Sequence, residues 1–276
     1  MDCVVCETPS ARPRTHWPEL GIVRCPKCGH IFWNGSLPDD ACRVLYSERY
    51  FREGEYSDYQ ADRALLQRNF RRRARLVRRH TSGDALLEIG SAYGFFLDLV
   101  RDRFRVQGFE ICEQAAASAR EQLRLPVRSD DFLACELDER FDAVCLWDVI
   151  EHLERPDLFL RKIASLMAPG GHLFLTTGDI SSPIARLRGR NWRLVHPPTH
   201  IHYFGRETIA RLLERFGFEI VEIRHPGAWR SFHQLVATLL RWPNARRYIP
   251  GAFYLNLYDI MCLVARVGPK ERETTL

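Results

Sequence analysis

The sequence has no apolar run long enough to span a bilayer. Met1-Asp2-Cys3-Val4-Val5-Cys6 has neither a basic start nor an apolar stretch of the kind signal peptides carry, so no secretory leader is expected there. There is no internal repeat and no low-complexity tract, which excludes a solenoid and a largely disordered chain. No glycine turn is followed by Gly-Lys-Ser/Thr, so the chain has no P-loop. Nor does any Gly-x-Gly-x-x-Gly occur at its one strand–glycine–helix corner, which removes the usual dinucleotide fingerprint.

What is present fits a soluble globular protein. The 276 residues, 46% hydrophobic and 27% charged, suffice for one large domain or two smaller ones. Net charge is +5 and arginine is prominent, which permits an anionic partner without demanding one. The default location is cytoplasmic. In such a chain nine cysteines point to a metal or to buried thiols before disulfides.

Four of those cysteines form two knuckles, Cys3-x-x-Cys6 and Cys25-x-x-Cys28. Each knuckle puts two thiolates on one tight turn, and two knuckles close a tetrahedron around Zn²⁺. The expectation is a zinc ribbon over residues 1–37 with a structural ion, because four thiolates leave no open ligand position. His16 and His30 then read as surface or packing residues. Residues 38–82 follow as a linker and basic helix, the helix running from Asp58 to His80. Its arginines, Arg63, Arg68, Arg71, Arg72, Arg73, Arg75, Arg78 and Arg79, either grip phosphates or form a solvated face. Tyr46, Tyr50, Tyr56 and Tyr59 either pack on the main domain or cap a substrate pocket.

The rest is organised around Ala85-Leu86-Leu87-Glu88-Ile89-Gly90-Ser91-Ala92-Tyr93-Gly94-Phe95-Phe96. A buried strand, a tight glycine turn and a helix N-terminus form the corner of an open α/β sheet that handles nucleotides. Val106–Glu110 is the next strand. Its terminal acid lies about 20 residues beyond the turn, where a carboxylate accepts both ribose hydroxyls; alternatively Glu110 complements the dipole of a helix over Cys112–Leu123. Pro126–Arg128, Phe141–Trp147 and Gly171–Thr177 read as further strands. A helix opens at Pro156, and another spans Arg206–Phe216 before the strand Phe218–Ile223. Ala228 to Trp242 reads as an apolar helix and Tyr258–Arg266 as the last strand. Cys135, Cys145 and Cys262 read as buried small hydrophobes, with Cys112 left open.

Glu88-x-Gly90-x-x-x-Gly94 resembles motif I of the class I S-adenosylmethionine (SAM)-dependent methyltransferases. Phe141-Asp142-x-Val144-x-x-x-Asp148-Val149-Ile150-Glu151-His152-Leu153 and Leu166-Met167-Ala168-Pro169-Gly170-Gly171 are similar to the family's later motifs. The resemblance covers residues 84–225. It implies an α/β, Rossmann-like sheet, mostly parallel with an antiparallel last strand, over residues 83–268. Segments 178–204 and 226–257 would be substrate-side insertions and 269–276 a tail. It further implies SAM held by Glu88, Gly90, Ser91, Gly94, Glu110, Asp131, Phe132 and Trp147, with Asp130 the alternative to Asp131. Either aspartate could equally be a plain N-cap.

Methyl transfer to a hydroxyl, an acidic carbon or a protonated amine needs a proton acceptor. The candidates are His200 and His152, then His202, with Trp192, Tyr203 and Tyr46 as pocket walls. Pro197-Pro198-Thr199-His200 and Tyr203-Phe204 resemble the subgroup that modifies small molecules and sugars, so the expected acceptor is a small molecule or a carbohydrate. Two rivals stand beside this reading. In one, the ribbon and arginine helix present RNA; in the other, a non-catalytic scaffold binds SAM.

Overall fold

The computed structural model describes residues 3–7, 14–36, 59–60, 62–232 and 251–268. Three short antiparallel strands come first: Arg14–Trp17 (β1), Ile22–Arg24 (β2) and Ile31–Trp33 (β3). Helix α1, Arg63–His80, starts later than the expected Asp58; residues 51–58 lie outside the described residues. The α/β body then alternates strand and helix. Its elements are Ala85–Ile89 (β4), Phe95–Val100 (α2), Arg105–Phe109 (β5), Glu113–Leu123 (α3), Val127–Arg128 (β6), Phe141–Trp147 (β7), Pro156–Leu166 (α4) and Met167–Gly178 (β8). After Pro183–Arg188 (α5) come His202–Tyr203 (β9), Arg206–Glu214 (α6), Phe218–Arg224 (β10), Ala228–Ser231 (β11), Ala252–Leu255 (β12) and Ile260–Val267 (β13).

The main sheet has seven strands in the order β10-β13-β8-β7-β4-β5-β6. All neighbours from β8 to β6 are parallel, and β13 runs antiparallel to both β8 and β10. The expected α/β fold with an antiparallel last strand is therefore observed. β4 is buried at every position and β7 at all but Asp142, as strands covered on both faces require. The chain moves outward from β4 through β5 to β6, then crosses to β7 on β4's other side. In open α/β sheets ligands bind at such a reversal, here beyond the carboxyl ends of β4 and β7.

Two apolar layers cover the sheet. One holds Phe70, Val77, Phe96, Leu97 and Ala119 from α1, α2 and α3. The other holds Leu160 and Ile163 of α4, Ile209 and Leu212 of α6, and also Cys3, Val4, Val5 and Phe32 from the cysteine-bearing segment. The N-terminal strands thus share the main core. They are also completed by a strand from far along the chain: β9 pairs with β3, giving the order β1-β2-β3-β9.

One element departs from its expectation. Ala228–Ser231 is a strand paired with Ala252–Leu255, not the start of a helix to Trp242; residues 233–250 lie outside the described residues. The hairpin docks on α1. Asn69 exchanges two hydrogen bonds with the Trp229 main chain, while Arg68 stacks on Trp229 and Arg72 on Tyr254. Cross-strand and helix contacts thus override a helix-compatible composition. Among the described residues no helix is long and apolar enough to cross a membrane.

Asp259, 3% exposed, anchors the segment after α5. It accepts from Trp192 Nε1 at 3.0 Å and from Arg193 Nε at 3.1 Å. Asp259→Ala leaves a buried indole N–H unpaired and should cost about 1–3 kcal/mol. Urea unfolding should show a lower midpoint at constant m; an unchanged midpoint would remove that anchoring role.

Candidate functional site

The turn after β4 is built from left-handed backbone. Gly90 and Gly94 have φ of 75°, and Ala92 has φ of 46°. Glycine takes this conformation at no steric cost, whereas a Cβ on Gly90 would also lie 2.5 Å from Val149 Cγ2. Gly90 and Ser91 donate their N–H groups to Phe109 O at 2.8 and 3.0 Å. Glu110 closes the arrangement: Oε2 accepts from Ala92 N at 2.7 Å and Oε1 from Cys112 N at 2.9 Å. One carboxylate therefore braces both the strained alanine and the entry to α3. A carboxylate has about four acceptor positions, so two bonds leave capacity for a ligand's hydroxyls.

Polar atoms without partners collect around this turn. Glu88 Oε2, Ser91 Oγ and Trp147 Nε1 are buried and make no hydrogen bond. Such orphans are costly unless something fills the space beside them. Burial pushes the Glu88 carboxyl well above its ordinary range of about 4.5, and Glu110 adds to the rise while the Arg73 guanidinium opposes it. Burial also raises Glu110, against the pull of its main-chain N–H donors. Tyr59 roofs the turn, stacking on Tyr93 and Phe95. Tyr46, Tyr50 and Tyr56 lie outside the described residues.

Arg73 reaches inward from α1, lies 5.0 Å from the Trp147 ring centroid and donates to Asp148 Oδ2 at 2.7 Å. The helix composition marked no single arginine for this position. Its neighbours are committed elsewhere within the chain: Arg63 to Asp98, Arg78 to Asp102 and Arg79 to Glu222. Of the two aspartates after β6, Asp130 pairs with Arg128. Asp131, mostly exposed, accepts from Leu133 N at 2.8 Å, which is a capping contact. Phe132 is buried between Phe109 and Phe159.

Beyond β7, Glu151 and His152 form part of a short 3-10 turn, Ile150–His152. They meet His200, and one potential ligand atom from each of the three lies within 4.8 Å of the others. His152 Nδ1 is 2.7 Å from Thr199 O and His200 Nδ1 is 2.9 Å from Leu194 O. His200 is therefore not in an open loop over a pocket; it is 3% exposed. Glu151 carried no role in the sequence reading. Its position directly before His152, after a buried strand, was the available signal. His202, in β9, lies 3.1 Å from His30, and both imidazoles are buried. Trp192 is buried against Ala185 and Leu194, and Tyr203 donates to His200 O.

Cys3, Cys6, Cys25 and Cys28 also converge, with Sγ–Sγ separations of 3.5 Å for Cys3–Cys28 and 3.7 Å for Cys6–Cys25. A tetrahedron with Zn–S bonds of about 2.3 Å has sulfurs about 3.75 Å apart, close to these two separations. All four are free thiols, not disulfides.

A mostly parallel sheet with this strand order, an antiparallel β13 and a glycine turn tied to an acid on the adjacent strand is the class I methyltransferase fold. Solved structures agree: the magnesium protoporphyrin IX methyltransferase of Synechocystis, with bound SAM, superposes with a TM-score of 0.53 at 17% identity, over 84% of this chain and 99% of that one. A family model described as a methyltransferase domain matches residues 59–223, more than half of the chain, and the chain belongs to that family. It is 28% identical over 214 residues to the malonyl-[acyl-carrier protein] O-methyltransferase of Chlorobium luteolum, covering 71% of this chain and 76% of the relative. It is 40% identical over 89 residues to the mitochondrial ubiquinone biosynthesis O-methyltransferase of Dictyostelium discoideum, covering 32% of this chain and 28% of the relative. The chain spans less than half the length of such ubiquinone-biosynthesis relatives.

The raised Glu88 carboxyl has a stability consequence. The folded protein holds this proton more tightly than the unfolded chain. Above the ordinary carboxylate range the unfolded state binds fewer protons, and stability falls as pH rises towards the folded value. Glu88→Gln should flatten that decline in ligand-free protein, read from urea midpoints between about pH 5 and about pH 9. Parallel profiles for the two proteins would contradict the assignment.

Proposed function

We propose that this protein transfers the methyl group of SAM to an oxygen of a small-molecule acceptor, releasing S-adenosylhomocysteine. The observation that carries this reading is the Glu110 carboxylate bonded to the glycine turn, beside the orphaned polar atoms of Glu88 and Ser91. When bound, SAM supplies a methyl already activated on a positively charged sulfur. In this reading Gly90, Ser91 and Gly94 let the backbone approach the ligand, and Glu110 receives the ribose hydroxyls. The Glu88 carboxylate faces the cationic end, where a positive charge would offset the cost of its burial. Phe132 and Trp147 supply apolar walls, and Asp131 the polar rim near the base. The protein's main task is alignment and exclusion of water, which can provide a large part of the rate.

The acceptor end is assigned to Glu151, His152 and His200, which lie past β7 and act on the acceptor and not on SAM. Curated relatives whose names specify O-methyl transfer favour oxygen over nitrogen or carbon. The sugar acceptor has no comparable support. Against the RNA reading, the α1 arginines with recorded partners are turned to aspartates, glutamates and aromatic rings of the same chain. The cysteine cluster is read as a structural Zn²⁺ ribbon.

Glu110→Ala should weaken SAM binding roughly ten- to a hundred-fold, the equivalent of about 1.5–3 kcal/mol for hydrogen bonds to a charged group. Calorimetric titration reads this directly, and unchanged affinity would refute the role. Purified protein should contain about one zinc per chain, and stripping it with a chelator should lower the melting temperature. A folded, metal-free preparation of equal stability would remove the ribbon. The function itself is tested by incubation with methyl-labelled SAM and a panel of phenols, enols and carboxylic acids. Label should appear in an extractable ether or ester; saturable SAM binding with no transfer to any class would favour the scaffold reading.

A further inference from the structure

β9 is short, His202–Tyr203, and pairs with β3 through Ile31↔Tyr203 and Phe32↔His202. So brief a ladder specifies its register weakly, and a slip by one residue turns every side chain of a strand to the opposite face. The register matters at this strand. Trp33 N donates to Ile201 O at 2.8 Å, and Ile201 N donates to Glu151 O at 2.9 Å. The strand therefore carries the position of the N-terminal sheet to the turn after β7.

Beside the ladder lies one polar contact in apolar surroundings. His30 Nε2 and His202 Nδ1 are 3.1 Å apart, and His30 stacks on Phe32 and Phe204. The two residues are 0% and 2% exposed. His30 Nδ1 is buried and makes no hydrogen bond. Two apolar side chains would fill the same space without leaving a polar atom unsatisfied, so the pair is a poor source of stability. What a buried polar pair can supply is direction: one nitrogen must meet the other, which selects a single alignment of the two strands. His30 is itself set by the cysteine knuckle. Cys25 N donates to His30 O at 2.8 Å and Gly29 N to Cys25 O at 3.0 Å.

We propose that the His30–His202 hydrogen bond is a register lock through which the cysteine cluster, with its Zn²⁺ bound, positions the acceptor end of the site. β1, β2 and β3 precede residues 59–223, which the family model matches, and β9 lies within them. The lock thus joins a segment outside the matched domain to one inside it. The SAM end is held by other means: the turn after β4 is fixed by Phe109 O and by Glu110. A cation that gathers the four thiolates orders His30, His30 aligns His202, and residues 199–203 then meet Glu151. That these residues border the acceptor rests on the proposed methyltransferase reading. The lock itself rests on the strand geometry.

The test is amide hydrogen exchange on the full chain, with zinc content, urea midpoint and SAM affinity measured on the same samples. Stripping zinc from wild-type protein with a chelator should speed exchange across residues 199–204 at least about ten-fold and leave residues 88–94 unchanged. The double variant His30→Leu/His202→Leu should show the same local loss while still holding its zinc, and its urea midpoint should not fall. His202→Asn, whose side-chain amide can occupy the place of Nδ1, should keep exchange within about two-fold of wild type. SAM affinity should stay within about two-fold throughout, because the two ends are held separately. Unchanged exchange at 199–204 in the double variant overturns the lock. So does equal loss in the asparagine variant, which would assign the effect to ring packing, and so does loss of SAM binding together with zinc. Wild-type protein that shows the exchange pattern but takes up no SAM supports the lock and removes the methyltransferase reading.

Discussion

A single carboxylate holds the working edge of this sheet together. Glu110 sits at the end of β5 and bonds to main-chain N–H groups on two sides: Ala92 in the turn after β4, and Cys112 at the start of α3. Ala92 is in the left-handed region, where a residue with a Cβ is strained. The strand pair β4–β5 fixes the acid relative to the turn, and the acid in turn fixes the turn. Strand register, backbone strain and ligand chemistry thus share one constraint. This explains why the glycines and the acid must occur together for the corner to be useful.

The opposite end of the crevice is assembled from distant parts of the chain. Ile201 O accepts from Trp33 N, while Ile201 N donates to Glu151 O. Residues 199–203 are therefore clamped between β3 of the cysteine-bearing sheet and the turn after β7. His30, two residues past Cys28, packs on Phe204 and bonds to His202. The N-terminal strands carry four cysteines and are also tied through Ile201 to the Glu151–His152 turn. Their stability reaches the histidine cluster through a single strand of the main chain.

The parts legible in the sequence are those encoded locally. The turn, its helix, the acid on the next strand and the cysteine knuckles each announce themselves within a few residues, and the mostly parallel sheet with an antiparallel last strand came from the resemblance to the class I methyltransferases. What stayed hidden depends on long-range contact. Ala228–Ser231 becomes a strand because Ala252–Leu255 pairs with it and α1 receives its Trp229, which no local pattern states. Arg73 differs from the arginines beside it only in facing Asp148 and Trp147, and a run of like charges does not say which member turns inward. Glu151 gains its surroundings from residues almost fifty positions later. Asp131, for which the sequence left both a cofactor contact and a cap open, accepts from Leu133 N.

The central claim is that the crevice at the reversal between β4 and β7 receives SAM. Isothermal titration of the purified, folded wild-type chain with SAM tests it most directly. The account predicts saturable uptake of one SAM per chain. Heat indistinguishable from dilution, with the protein folded by circular dichroism, would contradict it.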